Sequence, residues 1–399
     1  MLVQKYKDML SGKSVIRQLS EFAAARGGEI GYENVFDYSL GNPSVPVPRE
    51  FTDEMIHMLT EMGTNELHGY SPSLGITSVR EAVAASLEKR FGLPYRKEHI
   101  FMASGAAGAL AHAFRLVTEP GDEILTFAPF FPEYHPDVDL TGAVLKVVPP
   151  DTESFQINFE KFEEMLTEKV MAVLVNTPNN PSGVVYSAGT LKRLADLLRA
   201  KSAQYGHTIY LISDEPYREI VFGGAEAPCV SAFYDNTIMC YSFSKSLSIP
   251  GERIGYVAIN PGCKDAEDMV NMCGQISRGT GHNCPPSIIQ LVVAKVLDMT
   301  ADLIVYETNM EILYKELFSL GFTCVKPGGT FYIFPKALEE DAKVFCQKAL
   351  KYDLVLVPGD TFGAPGYFRM AYCIDTEKVE RSLAALRRFV TEEYGAGGS

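Results

Sequence analysis

The residues best suited to covalent chemistry lie in the segment Ser242-Phe243-Ser244-Lys245-Ser246-Leu247-Ser248-Ile249-Pro250-Gly251-Glu252-Arg253-Ile254-Gly255. It follows an apolar run, residues 237–241, which predicts a buried strand. A lysine among small hydroxyl residues at the end of such a strand can be held in a dry place. There its ammonium loses charge more easily, and the free amine is a nucleophile toward carbonyls. Eight positions on, past a Pro-Gly turn, stands Arg253, whose permanently charged planar fork suits a phosphate. An amine and a phosphate clamp this close call for one ligand that carries both an aldehyde and a phosphate. Pyridoxal phosphate is the candidate.

The segment resembles the pyridoxal-phosphate attachment motif of class I aminotransferases, the fold-type-I family that includes aspartate aminotransferase. Ser242, Ser244, Lys245, Ser248, Ile249, Gly251, Arg253, Ile254 and Gly255 fill the constrained positions of that pattern. The resemblance extends over nearly the whole chain and implies roles for residues elsewhere. In Asp214-Glu215-Pro216-Tyr217 it implies that Asp214 pairs with the cofactor's ring nitrogen and Tyr217 bonds its phenolic oxygen. In Asn176-Thr177-Pro178-Asn179-Asn180-Pro181-Ser182-Gly183 it makes Asn180 a second donor to that oxygen. Phe131 becomes the aromatic stacked on the ring, with Phe130 left to the core. Gly105, Ala106 and Ala107 open a helix at the phosphate, where free N–H groups and the helix dipole favour an anion. Relatives often carry a hydroxyl residue where Ala107 stands, which leaves more of that task to backbone amides, Ser242 and Arg253.

Substrate contacts follow from the same resemblance. Gly41 lies near the substrate carboxylate, although the family's Gly-x-Pro-Asp-Phe is here Gly41-Asn42-Pro43-Ser44-Val45. Arg369 sits in the apolar run 366–372, where its charge is costly unless paired, and a substrate α-carboxylate would pair with it. Tyr70 would reach the cofactor phosphate of a neighbouring subunit, so the active site would need a dimer. Arg278 lies within one position of an arginine that, in aspartate aminotransferases, crosses the dimer to a side-chain carboxylate. That points to aspartate or another dicarboxylic substrate.

The elements that must position these residues can be read from pattern. Apolar runs at 99–103, 124–127, 169–175, 208–213 and 237–241 predict buried strands, and helices are expected over 76–91, from 104 onward and over 187–205. This alternation predicts an α/β fold: a mostly parallel sheet flanked by helices, with a smaller α+β domain, the fold-type-I arrangement that the resemblance also implies. We expect residues 47–285 to form the large cofactor-binding domain, and 1–46 with 286–399 the small one. Other expectations are a helix over 13–25 broken at Gly27-Gly28, a strand over 35–40, a loop over 274–286, one long helix after Pro286, a hairpin in 321–334 and a frayed tail from Gly395 to Ser399.

Composition bounds the function. The chain has 399 residues and a net charge of −14, from 36 basic and 50 acidic residues, which argues against nucleic acid or an anionic membrane as partner. Eight cysteines without a CxxC pair suggest a reduced, cytoplasmic chain. The seven histidines lack metal-ligand spacing, so no metal is expected. The first residues hold no apolar signal core, and no apolar run approaches membrane-spanning length. The function expected is a ping-pong amino transfer from an L-amino acid to a 2-oxo acid. The same cofactor site could instead serve a β-eliminating C–S lyase, a decarboxylase or a cyclopropane-forming synthase. A cofactor-binding regulator would need a DNA-binding segment for which the chain has no spare length.

Overall fold

Twelve strands are seen among the described residues, 2–11, 14–224 and 226–395 of this computed structural model. They are β1 Phe36–Asp37, β2 Ile100–Ala103, β3 Glu123–Phe127, β4 Val144–Val148, β5 Val170–Asn176, β6 Tyr210–Asp214, β7 Thr237–Ser242, β8 Gly255–Ile259, β9 Tyr332–Ile333, β10 Leu354–Val355, β11 Val357–Pro358 and β12 Phe368–Ala371. Seven form the central sheet, in the order β2-β8-β7-β6-β5-β3-β4. Its pairs are parallel except where β8 runs against both neighbours. The sequence predicts this class because the strand runs are apolar throughout rather than alternating. Such runs need cover on both faces, and β2, β3, β7 and β8 are buried along their whole length.

The ends of the strands matter most. In a parallel sheet with helices on its faces, the carboxyl ends of the strands open onto the crevice where ligands bind. β5 ends at Asn176, β6 at Asp214 and β7 at Ser242, and β2 passes through Ser104 into the helix Gly105–Val117. The antiparallel β8 begins at Gly255 on the same edge, opposite Ala103 and Ser242. Arg253 is thereby brought beside the start of that helix. Gly255 has no room for a side chain, since a Cβ there would stand 2.2 Å from the carbonyl oxygen of Tyr241.

A second body of core joins Tyr38, Val45, Tyr217, Ile220 and Phe222 to residues from Ala301 to Val390. It contains the antiparallel sheet β11-β12-β9 and the helices Ile304–Ser319, Ala342–Ala349 and Thr376–Tyr394. β1 pairs in parallel with β10 and ties the N-terminal segment to this body. Arg369 lies in β12, fully buried.

Several local expectations change. The helix Val15–Ile30 runs through Gly27-Gly28 and stops at Gly31, whose φ is +87°. The glycines are no break because Gly27 serves packing: a Cβ there would come 2.8 Å from the Tyr32 ring. Residues 274–280 are the last turns of a helix, Ala266–Thr280, whose inner face carries Met269, Val270 and Cys273. The expected single helix after Pro286 is two, Ser287–Lys295 and Ile304–Ser319. Within 35–40 only Phe36–Asp37 is strand, and within 321–334 only Tyr332–Ile333. Residues 396–399 of the expected tail, and Lys13 of the first helix, lie outside the described residues.

Beneath the sheet edge, Glu215 and Arg218 form an ion pair with side chains 2% and 3% exposed. Arg218 Nε donates to Glu215 Oε2 at 2.7 Å, and the guanidinium lies over the rings of Phe91 and Tyr241. Removing one partner of such a pair leaves a buried charge without compensation. Arg218→Met should therefore cost about 3–5 kcal/mol of stability. The double variant Glu215→Gln/Arg218→Met should recover a large part of that. Urea unfolding midpoints of the three proteins check this, and equal midpoints would refute it.

Candidate active site

A cavity of about 420 Å³ opens at the carboxyl edge of the central sheet. It brings together Gly41, Ala106, Ala107, Phe131, Asn180, Asp214, Tyr217, Ser242, Lys245, Arg253 and Arg369. Gly105 stands behind the lining with φ +76°, and a Cβ on it would meet Arg253 Nη2 at 2.9 Å. Tyr70 and Arg278 are not part of this cavity. They border a separate hollow between the 67–73 segment and residues 277–288, and Tyr70 is fully exposed.

Lys245 lies in the turn after β7, and its Nζ donates to the carbonyl oxygen of Gly41 at 2.7 Å. Burial pushes its pKa from the ordinary 10.5 down to about 8, opposed by Cys373 and helped by the positive charges of Arg253 and Arg369. The side chain is thus poised to shed its proton near neutrality, as an amine nucleophile or base must.

Asp214 ends β6 and is buried. Its Oδ2 accepts from Tyr134 Oη at 2.5 Å and from Asn176 Nδ2 at 3.4 Å, whereas Oδ1 is buried without a partner. Burial pushes its pKa up to about 7; the Tyr134 hydrogen bond works the other way, and Glu215 and Asp137 add to the rise. A cation beside Oδ1 would restore the charge.

Arg369 is 2% exposed. Its Nη1 donates to Asn180 Oδ1 at 3.0 Å and its Nη2 to the carbonyl oxygen of Ser39 at 2.5 Å, but Nε is buried and unpaired. The guanidinium lies over the rings of Tyr332 and Phe362. No carboxylate forms an ion pair with it among the described residues. Burial works against its charge, which arginine nevertheless keeps. Tyr217 Oη lies 3.2 Å from Tyr332 Oη, and burial, reinforced by Tyr332, holds the Tyr217 phenol well above its ordinary range.

These groups fit pyridoxal phosphate on three counts. The lining has a helix start, Ser242 and Arg253 for an anion. It has an amine with a lowered pKa and the Phe131 ring for a flat aromatic partner. It has a buried acid with one oxygen unpartnered, which a protonated nitrogen would satisfy.

Sequence reasoning missed Tyr134, Tyr332 and Asn176 as parts of the site. Asn176 was visible as the last residue of a strand two removed in chain order from Lys245's, and register pairs it with Asp214. Tyr134 had no signal of its own beyond the aromatic cluster at 130–134.

A mostly parallel α/β sheet with a half-buried lysine and a buried acid at its carboxyl edge, met by a buried arginine from a second sheet, is the frame of a pyridoxal-phosphate enzyme of fold type I. The family model for aminotransferase class I and II matches residues 33–386. The chain belongs to that family and is a pyridoxal 5′-phosphate-dependent aminotransferase, acting on amino acids and 2-oxo acids; the lyase reading is not favoured. It is 29% identical to an aspartate aminotransferase of Thermotoga maritima over 90% of this chain and 92% of that one. It is also 29% identical to aromatic-amino-acid aminotransferase 2 of Thermococcus litoralis, over 95% and 96%. The crystal structure of an amino transferase from Eubacterium rectale superposes with a TM-score of 0.95 at 41% identity, covering 99% of this chain and all of that one. Among the described residues no helix is long and apolar enough to cross a membrane, and no cluster of metal-ligating side chains occurs.

The lowered pKa of Lys245 can be measured directly. In the cofactor-free chain, pulse acetylation across pH 6–10 followed by peptide mass spectrometry should show Lys245 half-reactive near pH 8. Exposed lysines should follow about two units higher. Titration of Lys245 together with them would refute the desolvation argument.

Proposed function

We propose that Lys245, Asp214 and Arg369 carry the amino transfer in two half-reactions at this one cavity. The observation behind the reading is that Asp214 and Arg369 are buried and Lys245 half-buried, and that none of the three forms an ion pair among the described residues. When bound, pyridoxal phosphate supplies an aldehyde that receives the amino group and a ring that draws electrons from the substrate's Cα. The amides at Gly105, Ala106 and Ala107 with Ser242 and Arg253 would hold the phosphate. Phe131 would pack against the ring. Asp214 would hold a proton at the ring nitrogen, with Tyr134 and Asn176 keeping Asp214 in place. Asn180 and Tyr217 would donate to the phenolic oxygen, and Asn180 also orients Arg369. The fork of Arg369 would take the substrate's α-carboxylate beside Gly41. The neutral amine of Lys245 would hold the aldehyde and, when free, would accept and return the proton of the substrate's Cα. A 2-oxo acid would be the acceptor in the second half-reaction.

The same reading includes a homodimer in the cytoplasm, with Tyr70 and Arg278 of each copy serving the other's cavity. Their exposure outside their own cavity supports this. It also divides the chain at 47–285 and 1–46 with 286–399, so that substrate binding through Arg369 couples the two parts. If Arg278 reads a side-chain carboxylate, Arg278→Ala lowers aspartate turnover more than alanine turnover; an equal loss for both excludes that role.

Lys245→Ala should abolish turnover and the visible absorbance of the bound cofactor. Arg369→Lys keeps the charge but loses the two-pronged geometry, and should lower kcat/KM for amino acids about 100-fold. A screen of amino donors with 2-oxoglutarate and pyruvate as acceptors tests both. Wild-type turnover that survives in Lys245→Ala would refute the assignment.

A further inference from the structure

Tyr332 lines the cavity and touches two of the groups assigned above, yet has no part in that scheme. It begins β9, which runs antiparallel to β12 with Tyr332 opposite Ala371. Residues two apart on a strand share a face, so Tyr332 stands diagonally across from Arg369. Its ring centre lies 4.6 Å from the Arg369 guanidinium, and that of Phe362 lies 4.8 Å from it. Its hydroxyl is 3.2 Å from that of Tyr217, and the two rings meet edge to face. Neither hydroxyl makes another hydrogen bond among the described residues. The chain is held to this placement. Thr330, two residues earlier, has φ +62°, which β-branched residues avoid. Its N–H donates to the Ile220 carbonyl at 2.9 Å, and its Oγ1 accepts from the Tyr332 N–H at 3.1 Å. Strain of this kind persists where the surroundings over-determine it, and it gathers at functional sites.

We propose that Tyr332 is a positioning residue with two separable functions. Its hydroxyl donates to Tyr217, which leaves the Tyr217 proton for the cofactor's phenolic oxygen, and its ring braces Arg369 for the substrate carboxylate. The inference rests on the transamination reading and deepens it. Only one proton fits between two phenol oxygens, so one hydroxyl donates and the other keeps its proton for a third partner. Burial raises the pKa of both phenols. The charge of Arg369 opposes that rise at Tyr332, whereas Tyr332 and Asp214 reinforce it at Tyr217, against a weaker pull from Arg369. Tyr332 is therefore the stronger acid and the donor. A hydroxyl that accepts one hydrogen bond is polarised and donates a stronger one in turn. The ring, for its part, attracts a guanidinium that has no ion pair among the described residues, and it does so without occupying the unpaired Nε.

Substitutions at Tyr332 separate the two functions. They are read in the holoenzyme from the pH at which the visible band of the bound cofactor changes, and from calorimetric binding of propionate, a carboxylate without an amino group. A donor to the phenolic oxygen favours its anionic form, so losing that donor raises the midpoint pH. Tyr332→Phe should raise it by about 0.5 and change the propionate Kd by less than about twofold. Tyr332→Leu should raise it as much and weaken propionate about tenfold. On a Tyr217→Phe background, Tyr332→Phe should add nothing to the midpoint, because its hydroxyl acts through Tyr217. An unmoved midpoint in Tyr332→Phe, or a shift that persists in full without the Tyr217 hydroxyl, overturns the hydroxyl's function. Equal propionate affinity in the Phe and Leu variants overturns the ring's. Wild-type transamination stands in each of these cases. A wild-type holoenzyme that turns over no amino donor would overturn the transamination reading and this inference together.

Discussion

The site depends on keeping three ionisable groups largely out of water with no ion-pair partner for them among the described residues. Lys245, Asp214 and Arg369 are each held by neutral partners: the Gly41 carbonyl, the Tyr134 hydroxyl with the Asn176 amide, and Asn180 with the Ser39 carbonyl. Hydrogen bonds of this kind orient a charge but do not cancel it. An isolated buried charge is expensive, and the usual outcome is a shifted pKa or a paired ligand. Lysine and aspartate show the first response, with values near 8 and 7. Arginine cannot, so its unpaired Nε stays as a standing demand for an anion.

The fold meets that demand because the groups arrive on different rigid elements. β6 and β7 deliver Asp214 and Lys245 from adjacent parallel strands. β12, in a different sheet, delivers Arg369. The segment at Ser39–Gly41 closes over both, since its carbonyls receive hydrogen bonds from Arg369 and Lys245. Gly41 itself cannot be larger, because a Cβ would stand 1.9 Å from Tyr332 Oη. Catalytic geometry built this way is preorganised by the sheets, and a ligand need not reorder long loops to find it.

How much of this could be read beforehand differs by scale. The apolar runs predicted the sheet because strands buried on both faces leave an unambiguous mark. The residues at their ends were legible because chemistry restricts which types can serve there. Tyr134 was not legible, because a phenol that holds a carboxylate looks in sequence like any core aromatic. Gly27-Gly28 misled because local propensity argued for a break, whereas contact with Tyr32 made small residues necessary inside the helix. Residues 274–280 misled in the same way: the amphipathic face of Ala266–Thr280 outweighs its glycines.

Asp214 and Glu215 show why burial and charge alone do not define a catalytic acid. They are adjacent, both are almost wholly buried, and their chain direction turns them to different sides of the sheet edge. Glu215 finds Arg218, three residues on, and a hydroxyl from Ser213. Its charge is compensated within the chain, so it can contribute to folding but has nothing left to offer a ligand. Asp214 finds a tyrosine and an amide, and keeps one oxygen without a partner. What separates a structural acid from a reactive one, here, is the missing counter-ion.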